Sequence, residues 1–404
     1  MKEIRRASPF RLGPAAVVSV AQLLGTSLWF SANSAADGLM EAWGASSSDI
    51  GLLTNAVQAG FILGTLCLSL LGLADRFRAS TIFVASAFAG ALFNIGFAWL
   101  AQDLVGGSLF RFLVGLSLAG IYPIGMKLIV SWEPERTGQA LALLVAMLTL
   151  GTALPHLLRF TGGQLPWQWI VSGSSCLALL AAALIHCLGT GPHLPAATGR
   201  SRRGGTVLSA FRITRFRAAA TGYFGHMWEL YAFWTAVPML VAATGLSAHF
   251  PALGVAGLSF LVIAAGAAGC LVGGVLSRRI GSAGVALGAL SLSGGCVVAV
   301  ALGWQDLSPV ALLAVLLLWG ASVVADSPQF SALSATACSK EMVGGALAIQ
   351  NAAGFAITML SILATTILFE RIGPPAVWLL LPGPVLGVAG YMVTLRSSGR
   401  GTAG

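Results

Sequence analysis

Residues 222–238, Gly222-Tyr-Phe-Gly225-His226-Met-Trp228-Glu229-Leu-Tyr231-Ala-Phe-Trp234-Thr-Ala-Val-Pro238, put an acid and a histidine inside a stretch long enough to cross a bilayer. An ionisable side chain at mid-bilayer costs about 3 kcal/mol on insertion scales, so it faces a wet cavity or a partner. At 100° per residue, Glu229 shares one helix face with Gly222, Gly225, His226, Ala232, Phe233 and Ala236. That face is mostly small, which leaves space around the two ionisable groups and lets them hydrogen-bond one another at i and i−3. Trp228, Tyr231 and Trp234 point away from it and read as packing or interface aromatics rather than a cation cage.

The rest of the chain has the composition of a membrane protein. Of 404 residues, 57% are hydrophobic and 9% charged, which excludes an ordinary soluble domain. Apolar stretches of about 20 residues, each able to span roughly 30 Å of hydrocarbon, recur twelve times. They are expected near 14–34, 50–72, 80–101, 106–130, 138–159, 168–190, 217–243, 251–276, 283–304, 308–334, 344–369 and 375–395.

Net charge is +9, and its placement argues for topology rather than for nucleic acid. If spans alternate in direction, all Lys and Arg except Arg111, Arg159 and Arg371 fall at one side, so the positive-inside rule puts both termini in the cytoplasm. The six cysteines lie in or beside apolar spans without a CxxC pair, and read as small buried residues rather than disulfides or metal ligands. No small-residue cleavage site follows the basic first residues, so the first apolar run is expected to stay as a span.

Polar residues inside the spans are patterned. In the first, Gln22, Thr26, Trp29 and Asn33 form a stripe at helical spacing. The second holds Gly60 and Gly64, a spacing that admits a close helix neighbour, and ends in Leu73-Ala-Asp75-Arg76. The fourth carries Arg111, with Tyr122 on the same face, and Pro123; the fifth has Pro155 beside His156, which reads as a satisfied core histidine. Ser322, Asp326 and Gln329 share a face of the tenth. Glycine, proline, serine and arginine replace the apolar run over 191–216, which marks a basic linker between an N-terminal six-helix bundle, 1–190, and a C-terminal one, 217–404. Gly115-Leu-Ser117 with Pro123 recurs as Gly320-Ala-Ser322 with Pro328, Gly138-Gln-Ala-Leu-Ala as Gly344-Gly-Ala-Leu-Ala, and Leu73–Phe77 as Leu276–Ile280. The near-equal offsets indicate a parallel duplication of six spans, an arrangement of one large class of secondary transporters.

On these residues the chain resembles the major facilitator superfamily over essentially its whole length. The Leu73-Ala-Asp75-Arg76 loop is similar to the family's loop between helices two and three, Gly274 to Gly281 to its second copy, and Arg111-Phe-Leu-Val-Gly115 to its fourth-helix arginine motif; Arg78 stands where a glycine is expected, and Arg278 where an acid is. The resemblance implies an all-α fold of twelve transmembrane helices in two bundles, with helices one, four, seven and ten around a central cavity. It implies a monomeric, multi-pass permease, a symporter or antiporter that moves a small polar or organic solute by alternating access and is not an enzyme. A bacterial inner membrane is the expected setting. Candidate substrate or proton ligands are Glu229, His226, Asp326, Arg111, Gln22, Trp29, Asn33, Tyr122 and Gln329; candidate gating residues are Asp75, Arg76, Arg278 and Arg279. Glu229 is the leading candidate for the proton-coupling acid.

No cofactor or metal is expected. His226-Met-Trp-Glu229 falls short of a three-ligand zinc set, and no Walker loop is present. The other readings are a non-transporting sensor or a membrane-embedded enzyme on the same scaffold and, within transport, a drug/proton antiporter. Against drug export, Gly151 and Pro155 are separated by three residues rather than adjacent. The His-Met-Trp-Glu-Leu-Tyr stretch is similar to segments of cyanate and nitrate-type permeases, although no arginine lies mid-span in helices two or eight.

Overall fold

Hydrocarbon offers no partners to backbone N–H and C=O groups, so an apolar chain of this kind satisfies them within helices. In the computed structural model, which describes residues 13–134, 137–163, 165–193, 208–339 and 342–400, helices account for nearly everything and no strand occurs among the described residues. They are α1 (Pro14–Thr26), α2 (Ser31–Ser34), α3 (Ala36–Trp43), α4 (Ser47–Leu70), α5 (Leu73–Arg76), α6 (Ala79–Trp99), α7 (Leu104–Leu118), α8 (Tyr122–Trp132), α9 (Thr137–Gly162) and α10 (Trp167–Leu188). Further along the chain follow α11 (Thr214–Ala243), α12 (Leu246–His249), α13 (Gly254–Gly303), α14 (Pro309–Ala325), α15 (Ser327–Ala337), α16 (Val343–Ile372) and α17 (Pro382–Arg400).

Nine helical stretches among the described residues are long and apolar enough to cross a membrane. The other predicted spans are accounted for by local chemistry. The 50-residue α13 contains Gly281 at φ 78°, ψ 158°, which divides the eighth predicted span from the ninth. The seventh, α11, is 30 residues long and is diluted by its polar centre. In the first span, α1 stops at Thr26 and helix resumes at Ser31. Here Thr26 Oγ1, Ser27 Oγ and Ser31 Oγ bond back to the carbonyls of Gln22, Leu24 and Leu28, a competition that loosens a helix. The fourth and tenth spans are also broken, each just before a proline at the second position of α8 or α15.

The predicted duplication is visible as matched contacts. A Cβ added to Gly115 would overlap the Val57 carbonyl oxygen, and one on Gly320 would overlap that of Val262, both residues 205 positions further on. Gly64 against the Leu116 carbonyl is repeated by Gly269 against that of Ala321 at the same offset. Caps follow suit: Asp103 Oδ1 accepts from Gly106 N–H at 2.7 Å, and Ser308 Oγ from Ala311 N–H at 3.3 Å. In each half, therefore, backbone-to-backbone contact locks the second span to the fourth.

Between the halves, α4 packs along α16 and α9 along α13. At the end opposite Arg76 and Arg278, the Ser48 N–H donates to the Glu370 carboxylate, Asn55 Nδ2 donates to the Met359 carbonyl at 2.9 Å, and Phe160 lies against Gly257. The halves are thus zipped together at the end that the basic residues assign to the outside.

Valine at Gly115 or Gly320 should pry apart these crossings and destabilise the protein by about 1–3 kcal/mol. Gly288→Ala, with nothing within 4 Å of the added atom, should be neutral or slightly stabilising. Thermal unfolding of purified variants in one detergent checks this; equal midpoints for Gly115→Val and Gly288→Ala would refute the backbone contact.

Candidate functional site

The break in the first span frees backbone carbonyls among fully buried residues, and Arg111 of α7 takes them. Its Nη2 donates to the Leu28 carbonyl at 3.1 Å and to that of Trp29, while Nη1 donates to Ser31 Oγ at 2.9 Å and Asn94 Oδ1 at 3.0 Å. Asn94, from α6, passes the network on through Nδ2 to the Val171 carbonyl at 2.9 Å and Ser175 Oγ at 3.0 Å on α10. The guanidinium is fully buried, with Phe97 5.5 Å below it. Five donors in a fixed fork suit this task, which an ammonium could not perform. Tyr122 does not share its surroundings: beyond the helix break it stacks on Phe61, 6.5 Å away.

On α11, the expected Glu229–His226 hydrogen bond is absent, because each side chain has a nearer partner on another helix. Glu229 Oε2 accepts from Ser293 Oγ at 2.8 Å and Oε1 from Trp319 Nε1 at 2.7 Å, which ties α11 to α13 and α14. His226 Nδ1 lies 2.8 Å from Asp326 Oδ1, at the break between α14 and α15. Both pairs are fully buried. The small face of α11 is correspondingly not open. Phe330 fills the space at Gly222, and the backbone of Gly383 and Gly387 on α17 fills that at Gly225. Phe233 stacks on Trp319 at 4.3 Å, so Gly222, His226, Glu229 and Phe233 form one antiparallel seam with Phe330, Asp326 and Trp319.

The face of α11 that meets the first half is the aromatic one. Tyr231 lies 5.7 Å from Trp29 and 5.2 Å from Phe355 of α16, and Trp234 meets Phe30 edge-on at 5.8 Å. Phe61 of α4 completes the group, 4.8 Å from Trp29 and 4.6 Å from Phe355.

The remaining candidates are scattered. Asn33 Nδ2 donates to Thr54 Oγ1 at 2.9 Å, which joins the first span to the second. Gln22 is buried against Gly125 of α8 with neither amide atom partnered, and Gln329 is buried one turn beyond Asp326. Arg76, Arg278 and Arg279 are exposed; the side chain of Asp75 lies outside the described residues. At that end Lys127 Nζ donates to the Ala74 carbonyl at 2.6 Å. The sequence reading missed Asn94, Ser293 and Trp319. A lone amide in an apolar span could have flagged Asn94, but nothing local marks a tryptophan that will meet an acid from another helix.

The profile of the Major Facilitator Superfamily matches residues 18–362, most of the chain. The chain belongs to this superfamily. No match emerges among curated proteins. Among solved structures, the partially occluded inward-open conformation of the xylose transporter XylE from E. coli is similar at TM-score 0.72 and 13% identity, over 95% of this chain and 98% of that one. At that identity the likeness speaks for the fold alone. This member of the superfamily is a multi-pass integral membrane protein, and the family is one of secondary transporters of small solutes.

Replacing Arg111 with methionine should strip the Trp29 carbonyl of its donor, leave that of Leu28 with Ser31 Oγ alone and cost about 3 kcal/mol or more, with lysine intermediate. Thermal unfolding in nanodiscs measures it. A methionine variant as stable as wild type would refute the clamp and release Arg111 as a free functional charge.

Proposed function

We propose that the protein is a proton-coupled secondary transporter in which the bundles 1–190 and 217–404, joined by the 191–216 linker, rock about the contact between them. The observation that carries the coupling is the His226–Asp326 pair: fully buried, 2.8 Å apart, and set at the break of the tenth span, with His226 Nε2 left without a partner. A helix break is where the backbone can change angle as the bundles move, so a proton held there can be felt by the two facing states differently, as any driving ligand must. Glu229 has both carboxylate oxygens engaged, and its reading accordingly moves from coupling acid to tie between α11, α13 and α14.

Gating follows from the same geometry. The Ser48–Glu370 and Asn55–Met359 contacts close one end and must part when the cavity opens there. Arg76, Arg278 and Arg279, exposed at the other end, together with Asp75, are assigned to the inner gate.

In proteoliposomes loaded with a pH dye, Asp326→Asn and His226→Gln should abolish substrate-evoked proton movement while exchange of labelled substrate persists. Glu229→Gln should instead lower stability. Proton movement intact in Asp326→Asn but lost in Glu229→Gln would reverse the assignment.

A further inference from the structure

The function proposed above leaves open what the central contact holds, and the chemistry there narrows it. We infer that the cluster of Trp29, Phe61, Tyr231, Trp234 and Phe355 is the substrate site, and that it takes an uncharged, planar aromatic or heteroaromatic solute bearing hydrogen-bond acceptors. This inference rests on the transporter reading.

Three observations converge. First, these five rings come from the first, second, seventh and eleventh spans, so each half contributes to one cluster. Their centroids lie 4.6–5.8 Å apart, mostly tilted rather than stacked. When the halves rock apart, ring-to-ring contacts between them are lost, and a flat solute that slides between the rings replaces like with like. A saturated ring of the same size cannot.

Second, two indole N–H groups within the cluster and two amides on its helices lack partners. Trp29 Nε1 and Trp234 Nε1 are buried N–H donors with no acceptor. Gln58, one turn before Phe61 on α4, and Gln350, one turn before the Gly354 that touches Tyr223 and Met227, are buried with both amide atoms unpartnered. A buried donor left unmatched is costly, and native proteins retain such groups where a ligand or water completes them.

Third, the ionisable groups nearby are already committed. Asp326 faces His226, Glu229 is held by Ser293 and Trp319, and Arg111 is spent on the carbonyls of the first span. The cluster itself carries no Asp, Glu, His, Lys or Arg, so an ionised solute would enter a low-dielectric site without a counter-charge bonded directly to it, which is expensive. An uncharged solute avoids that cost, and the indole N–H groups select for acceptors on its rim.

The test is equilibrium binding to the full chain in nanodiscs, with nicotinamide, 4-quinolone and hypoxanthine as uncharged heteroaromatics. Cyclohexanecarboxamide, benzoate and benzylammonium serve as the saturated, anionic and cationic comparators. At least one heteroaromatic should bind saturably and about tenfold tighter than every comparator, roughly the fold-change expected from one lost ring contact or hydrogen bond. Trp234→Phe, which keeps the ring and loses the N–H, should weaken it about fivefold, with size-exclusion profile and melting point unchanged. A comparator that binds as tightly, failure of all three heteroaromatics, or full affinity in Trp234→Phe would overturn the inference. Counterflow of the labelled ligand separates the two levels. Binding without counterflow would retain the aromatic site and sink the transporter reading, whereas counterflow of a charged solute with no aromatic binding would do the reverse.

Discussion

A helix that breaks inside a bilayer must hand its freed carbonyls to a donor, and in this protein that donor is Arg111. The first span could not interrupt itself after Thr26 without the guanidinium beneath Leu28 and Trp29. The interruption in turn brings Trp29 and Phe30 against α11. One buried cation thus sets the geometry of the central contact although it does not itself face it. Its cost is met by carbonyls, a serine and an amide rather than by a carboxylate.

The two halves solve the same packing problem twice and then diverge. Their second and fourth spans cross at glycines 205 positions apart, with backbone against backbone, so these crossings form rigid pairs. Divergence appears at the breaks. In the first half a cation serves the break in the opening span. In the second half α11 runs unbroken for 30 residues, and although the fourth and tenth spans break alike before a proline, only the tenth break carries an acid beside a histidine. A scaffold made of repeated rigid crossings leaves the side chains at these breaks as the places where chemistry differs between the halves.

Buried polar groups near the central contact fall into satisfied and unsatisfied sets. Glu229 is satisfied twice over by donors from two helices, so its carboxyl group is built into the seam. The indole N–H groups of Trp29 and Trp234 and the amides of Gln58 and Gln350 are not satisfied, and they border the contact that must open for the halves to move.

Much of this was legible in the residues alone. Span length, the basic bias of one side and the offset of the duplication are local or periodic properties, readable without knowing what each helix touches. The rotation of each helix about its axis, and hence which side chain meets which, is a property of packing. Glycines at 222 and 225 look the same in sequence whether they border a cavity or admit a neighbour; Phe330 and the backbone of α17 decide for the neighbour. Likewise Tyr231 and Trp234 read as packing aromatics until Trp29, Phe61 and Phe355 arrive from three other helices. The sequence by itself determined a membrane protein of duplicated helical bundles, because burial in hydrocarbon dictates length and composition. Only the tertiary structure decided that the acids turn into the bundle and the aromatic rings into the space between, because hydrogen bonds and ring contacts across helices form only once the helices have packed.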